Sequence, residues 1–144
     1  MSESPSRVLI VGLDGATFDI IRPLVSEGKL PHLGTALETG FATVLKSTIP
    51  PVSAPAWTSF RTGKNPGKHG VYDFTGFKPG SYERRVVNSS DVRSKGMEHL
   101  VSEVGKNVVM LNVPFTYPPY NVNGIMVSGL LSPPDGVYTY PPPL

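Results

Sequence analysis

The segment Arg7–Leu13 constrains the fold more than any other part of this 144-residue chain. Its sequence, RVLIVGL, is a nearly continuous run of branched apolar residues, and it stops at Asp14-Gly15, a pair typical of turns. A run of this kind predicts a strand buried on both faces, as in the parallel sheets of α/β proteins. We therefore expect a sheet whose first strand ends at Asp14.

The rest of the chain alternates helical and strand patterns. Apolar residues at helical spacing predict a helix over 17–27, with Thr17 as its N-cap, Gly28 as its stop and a break or kink at Pro23. Further helices are predicted over 31–39, over 55–61 with Thr62-Gly63 closing it, and from Ser90 or Asp91 to Val104. Strands are predicted over 41–47, 107–113 and 124–128, and loop with short irregular strands over 64–87. This alternation predicts an α/β fold with a mostly parallel sheet flanked by helices.

Composition excludes several classes of protein. The chain has no cysteine, which rules out disulfides and thiolate metal sites. Its net charge is +2 without a basic block, so we expect no nucleic-acid surface. The apolar runs are too short to span a membrane, and the N-terminal segment is too short for a secretory signal. We therefore expect a cytoplasmic protein that binds no membrane.

Two residues stand where a ligand site is expected. Asp14 ends the first predicted strand, and in open α/β sheets ligands bind outside the carboxyl ends of the strands, so its carboxylate is suited to a cation. Ser53 precedes a predicted helix, whose N-terminus favours a phosphate or an attacking alkoxide. A metal held by Asp14 would activate the Ser53 hydroxyl. The alternatives are a helix-entry aspartate and an ordinary N-cap serine.

The three histidines do not extend this metal site. His32 follows a proline at a helix start, His69 precedes Gly70 in a turn, and His99 lies on a predicted helix surface. None of them forms a pair with metal-ligand spacing, so we do not predict them as ligands.

Four segments together resemble a known family. They read VLIVGLDGATFD, STIPPVSAPAWTSFRTGKNPGKHGVYDF, LNVPFTYPP and GIMVSG, and they are similar to the type I phosphodiesterase/nucleotide pyrophosphatase family of the alkaline phosphatase superfamily. Residues 7–131 carry the match, and 132–144 are expected to form an extended tail. The resemblance implies that residues 1–144 are the N-terminal part of one alkaline-phosphatase-like catalytic domain, truncated before its end.

The family resemblance also implies a chemistry. It implies a metal-dependent hydrolase of small-molecule phosphoesters, with two divalent ions, zinc or manganese. Asp14 corresponds to the family's first metal-binding aspartate, and Ser53 to its covalent nucleophile, which also ligates metal. The family's later ligands, which include an Asp-His dipeptide, have no match here. We therefore expect this fragment to be inactive alone and to need the missing C-terminal part of the domain as its partner.

Several positions leave alternatives open. Ala56 stands where nucleotide pyrophosphatases often carry an asparagine, so a phosphodiester and a monoester substrate are equally compatible. Trp57 is either a pocket residue or a core anchor. In the segment 112–119, Asn112 or Tyr117 contacts substrate, or the prolines make a rigid loop.

A different class of function is a non-catalytic α/β binding module whose Pro/Tyr-rich tail binds a partner. A haloacid-dehalogenase-like phosphatase, which the LDGAT segment suggests, would need an aspartate two residues before Asp14, where Gly12 stands.

Overall fold

A computed structural model of the protein describes residues 7–142. The chain divides into two compact units, Met1–Lys46 and Ser47–Leu144. The end of the predicted tail, residues 143 and 144, lies outside the described residues. None of the helices within residues 7–142 is long and apolar enough to cross a membrane.

From residue 7 onward, the first unit contains the helices α1 (Phe18–Ser26) and α2 (Pro31–Thr39). The predicted N-cap is confirmed, because Thr17 Oγ1 accepts a hydrogen bond from the Asp19 amide. The end of α1 is also as predicted: Gly28 has a φ of +72°, and the Lys29 amide bonds back to Leu24, which is a Schellman motif. The break predicted at Pro23 is wrong, since α1 continues through it and only one intrahelical donor is lost.

The prediction of a first strand over residues 7–13 is wrong. Residues 7–13 form no strand, and their side chains are exposed, with Val8 at 84% and Leu9 at 88%. The same holds for 41–47, where Phe41 is 93% exposed. Backbone groups form a strand only where a neighbouring strand supplies hydrogen-bond partners. Within residues 7–46 no strand is formed, so the apolar run has no ladder to join.

The second unit contains the remaining elements. They are α3 (Ser53–Thr62), α4 (Pro66–His69), β1 (Thr75–Phe77), β2 (Arg84–Val86), a 3₁₀ turn (Ser89–Asp91), α5 (Met97–Glu103), β3 (Val108–Val113), β4 (Gly124–Ser128) and β5 (Thr139–Tyr140). Strands β3 and β4 and the end of α3 at Gly63 agree with the predictions. Helix α3 begins two residues earlier than predicted, at Ser53 itself.

The helix predicted from Ser90 or Asp91 begins later than expected. Asn88 caps the 3₁₀ turn instead: its side chain accepts from the Ser90 amide, and Asp91 accepts from the Asn88 amide. The chain then runs irregularly to Gly96, and α5 starts at Met97. A local capping box therefore replaces the first turns of the predicted helix.

The expectation of a mostly parallel sheet is wrong for the described residues. Strands β1 and β2 pair antiparallel. In the second sheet, ordered β3-β4-β5, the β3–β4 pair is parallel and the β4–β5 pair is antiparallel. The difference arises because the two predicted N-terminal strands do not form, while the tail supplies β5. Two small cores support these elements: Ala54, Val71, Val87 and Phe115 behind α3, and Met110, Val122 and Met126 in the β3–β5 sheet.

Candidate functional site

Asp14 lies in the first unit, in the turn that follows the extended segment 7–13. Its side chain is exposed, and Gly15 beside it has a φ of +68°, which glycine adopts without strain. The Ala16 amide bonds to the Leu13 carbonyl across this turn. Asp14 therefore lies in a loop four residues ahead of α1, and its role as a metal ligand stays a prediction.

Ser53 lies in the second unit and is the first residue of α3. The N-cap position belongs to Val52, whose backbone is extended with φ −113° and ψ 146°, and whose carbonyl accepts from the Ala56 amide. Ser53 is thus in the first turn of the helix and is not its N-cap residue. The aligned peptide dipoles of α3 place their positive end at this half-buried side chain.

Helix α3 is held firmly by its inner face. Ala54 and Thr58 are fully buried, and Thr58 Oγ1 donates to the Ala54 carbonyl at 2.8 Å. Trp57 is only half-buried and meets Phe60 edge to face, with ring centroids 5.9 Å apart. The buried face fixes the position of Ser53, while Trp57 is outside the fully buried core.

A hydrogen bond between Ser59 and His69 joins α3 to α4. In this pair His69 does not act as a base that activates the serine as a nucleophile. His69 is fully buried, and its Nδ1 accepts a hydrogen bond from the Val71 amide at 3.1 Å. Nδ1 therefore carries no proton, so in the neutral ring Nε2 carries it and donates to Ser59 Oγ at 2.9 Å. A ring that donates to the hydroxyl cannot remove its proton. Burial lowers the pKa of His69, which favours this neutral form.

At the other end of α3 lies a buried ionic network. Arg61 is 4% exposed and Glu98 is 2% exposed, and their Nη2 and Oε1 atoms are 2.6 Å apart. Arg61 Nη1 donates to the Phe115 carbonyl at 2.9 Å. The Tyr120 hydroxyl donates to Glu98 Oε1 at 2.7 Å and also receives a bond from Arg61 Nη2. The three side chains form one closed hydrogen-bonded triangle.

The environment of the triangle shifts two pKa values. Burial tends to raise the pKa of Glu98, but the Arg61 charge and the hydrogen bonds from Arg61 and Tyr120 outweigh it, and the net shift is downward. Burial, with the neighbouring Glu98 carboxylate, raises the pKa of Tyr120 well above its ordinary value. Glu98 is thus held as a carboxylate and Tyr120 as a neutral phenol.

Gly96 makes room for the Glu98 carboxylate. A Cβ atom at position 96 would lie 2.2 Å from Glu98 Oε1 and 2.4 Å from Oε2. Its φ of −83° suits any residue, so the need for glycine here is one of space alone. Sequence reasoning missed this network, because Arg61 and Glu98 are 37 positions apart and no local pattern links them.

The loop 114–119 is pinned to the 3₁₀ turn. The Ser89 amide donates to the Tyr117 carbonyl at 2.8 Å, and Ser89 Oγ donates to the Pro118 carbonyl at 2.6 Å. Asn112 is exposed and sits at the β-bulge of β3 with a φ of +55°. These bonds favour the rigid-loop interpretation of the segment.

The described residues do not make a complete metal centre. Within residues 7–142, no group of three or more His, Cys, Asp and Glu side chains could hold an ion. Catalytic zinc sites have three protein ligands and an open position. The donor set of the described chain therefore does not fit a catalytic metal by itself.

Comparison with known proteins identifies the family. The sequence model of the type I phosphodiesterase/nucleotide pyrophosphatase family matches residues 8–143 of this chain. The match includes most of the predicted tail. No curated protein and no solved structure matches the chain. Since the family match covers nearly all of the 144 residues, the chain belongs to the type I phosphodiesterase/nucleotide pyrophosphatase family.

Proposed function

We propose that this chain is the nucleophile-bearing part of a metal-dependent phosphoester hydrolase, in which Ser53 attacks phosphorus. The observation that carries the proposal is the position of Ser53 at the first residue of α3, inside a chain that the family model covers almost entirely. The family's description names two activities, phosphodiesterase and nucleotide pyrophosphatase. A small-molecule phosphoester remains the proposed substrate.

The position of Ser53 suits a nucleophile for a physical reason. In the proposed first step, Ser53 Oγ forms a bond to phosphorus while the bond from phosphorus to the leaving oxygen breaks. The serine proton passes to solvent, and solvent protonates the leaving oxygen, which departs as an alcohol. Water then hydrolyses the resulting serine phosphoester. Negative charge grows on the phosphoryl oxygens during both steps, and the positive end of the α3 dipole stabilises it. The buried face of α3 keeps that end in place.

The metal requirement belongs to the same proposal. The proposed cofactors are two divalent ions, zinc or manganese, with Asp14 and Ser53 among their ligands. Because no complete donor set exists within residues 7–142, we propose that the other ligands come from a C-terminal part of the domain and that this chain alone is inactive. Incubating it with bis-p-nitrophenyl phosphate and Zn²⁺ or Mn²⁺ should release no more nitrophenol than buffer does. Clear turnover would contradict this part of the proposal.

Alanine variants of two serines on α3 test the role of Ser53 as the nucleophile. In a protein carrying the complete family domain, Ser53→Ala should abolish turnover with little effect on stability. Ser59→Ala is the matched control, because it removes the acceptor of the His69 Nε2–H bond and should lower stability without abolishing turnover. If Ser53→Ala retains turnover, Ser53 is not the nucleophile.

The alternative of a binding module with a free tail has less support. Thr139 pairs with Val127 and Tyr140 pairs with Met126, so this part of the tail already serves as strand β5. The proposed function therefore remains enzymatic.

A further inference from the structure

The dipeptide Asn123-Gly124 lies in the second unit, where the irregular segment 121–123 enters strand β4. The Asn123 side chain is exposed. The chain has six asparagines, and Asn123 alone precedes a glycine. Because glycine has no side chain, its amide nitrogen is unshielded and can approach the side chain of the asparagine before it. Asn123 therefore differs from the other asparagines in the chemistry open to it.

The fold requires glycine at position 124. Gly124 has a φ of +148°, which glycine adopts without strain. A Cβ atom there would lie 2.0 Å from the Val108 carbonyl oxygen, because β3 and β4 meet closely at the Val108–Gly124 pair. No side chain fits in this space, so a bulkier neighbour cannot shield Asn123.

The Gly124 amide is held by a local hydrogen bond. Its N–H donates to the Val122 carbonyl, two residues earlier, at 2.9 Å. The bond that joins this end of β4 to β3 uses other atoms, since the Asn123 carbonyl accepts from the Val108 amide at 2.9 Å. A bond between residues two apart closes a three-residue turn and can break while the strands stay paired. The Gly124 nitrogen can therefore leave its partner without unfolding the sheet.

The Asn123 backbone is anchored more firmly than its side chain. The Asn123 amide donates to Ser102 Oγ at 3.0 Å. The side-chain Nδ2 donates to the Lys106 carbonyl at 3.2 Å, at the long end of the range for such bonds. The electrophilic carbon Cγ is thus on an exposed, weakly held side chain, next to a nitrogen that only a local bond restrains.

We propose that Asn123 is a modification site at which the folded chain deamidates itself through a cyclic imide, with water as the co-reactant. The Gly124 nitrogen loses its proton to solvent and bonds to Asn123 Cγ. The Cγ–Nδ2 bond breaks, and Nδ2 takes a proton from solvent and leaves as ammonia. Water then opens the ring. Breaking the new bond to Cγ gives aspartate, and breaking the bond to the backbone carbonyl carbon gives isoaspartate.

Either product weakens the start of β4. Aspartate lacks the Nδ2 donor and places a carboxylate against the Lys106 carbonyl. Isoaspartate lengthens the main chain by one carbon and takes the carbonyl that accepts from the Val108 amide out of it. The parallel β3–β4 pair therefore carries a covalent change that accumulates with time. This change does not involve Ser53, so it is independent of the proposed hydrolase activity.

Mass spectrometry of the 144-residue chain, sampled during incubation at mildly alkaline pH, tests the proposal. We expect a gain of one mass unit, which fragmentation of the peptide assigns to Asn123. Asn121 is the internal control, because it lies in the same segment but precedes Val122. Asn123→Gln is the matched variant, since its longer side chain closes the ring far less readily. Gly124→Ala is unsuitable, because its methyl group would collide with β3.

The chain unfolded in guanidinium chloride provides the reference rate. Conversion of Asn123 in the unfolded chain but not in the folded chain would overturn the proposal, as would equal conversion of Asn121 and Asn123. Isoaspartyl methyltransferase should label the modified peptide, and absence of isoaspartate would overturn the cyclic imide. The aged chain should unfold at a lower urea concentration than the fresh chain, whereas aged Asn123→Gln should keep its midpoint. An unchanged midpoint after conversion would refute the weakening of β4.

Discussion

Replacing Arg61 by methionine should reverse the pH dependence that Glu98 gives to stability. In the unchanged protein the folded-state pKa of Glu98 is below its ordinary value of 4.5. Its contribution to stability is therefore present above pH 4.5 and is lost as the pH falls through the folded-state value. In Arg61→Met the charge that lowered the pKa is gone, and burial then raises the pKa above 4.5. The contribution of Glu98 is then present at low pH and lost as the pH rises.

The size of the effect follows from the burial of both partners. Arg61 and Glu98 are 4% and 2% exposed, and removing one partner of such a buried pair costs about 3–5 kcal/mol. With a urea slope of about 1–3 kcal/mol/M, the unfolding midpoint at neutral pH should fall by roughly 2 M. Glu98→Met should cost a similar amount, because it leaves the Arg61 charge buried without a carboxylate. Arg61→Met with Glu98→Met should recover most of the loss.

Fluorescence of the single tryptophan, Trp57, reports these transitions, because it lies on α3 four residues before Arg61. Urea titrations of the four proteins at several pH values give the midpoints and the double-mutant coupling. Two results would refute the coupled buried network. One is a double variant whose loss of stability equals the sum of the two single losses. The other is an Arg61→Met variant whose stability falls between neutral and acid pH as steeply as that of the unchanged chain.

Three further predictions concern the same unit. Gly96→Ala should lower the free energy of unfolding by about 1–3 kcal/mol, because its methyl group overlaps the Glu98 carboxylate, whereas Gly67→Ala, with 3.4 Å to its nearest atom, should cost much less in the same urea assay. Ser59→Ala should cost about 1–3 kcal/mol, since it leaves the buried Nε2–H of His69 without an acceptor; an unchanged midpoint would contradict the assigned bond. Burial lowers the folded-state pKa of His69, so stability should be complete above the ordinary value of 6.5 and decline as the pH falls below it, and His69→Gln should flatten that part of the pH profile.

The sequence predicted the local features of the fold well. The N-cap Thr17 and the glycine ends of α1 and α3 follow from backbone chemistry that neighbouring residues decide. Strands β3 and β4 were visible as short apolar runs, although Val109 and Leu111 are about two-thirds exposed, at 66% and 65%, so β3 is buried on one face only. The family also follows from the sequence, since its motifs are linear.

Contacts between distant residues were beyond local pattern. The strand expected over 7–13 failed because a strand requires a partner, and an apolar run does not specify one. The tail became β5 because β4 offered it a free edge.

What the sequence alone determined is therefore the family, the N-cap of α1 and the glycine ends of α1 and α3, whereas Asp14 and Ser53, each read from a short motif, stay predicted site residues. Only the tertiary structure decided that Arg61 would meet Glu98 and Tyr120 in a buried triangle. The physical reason is that caps and turns depend on adjacent backbone atoms, whereas ion pairs depend on which distant segments the packed core brings together.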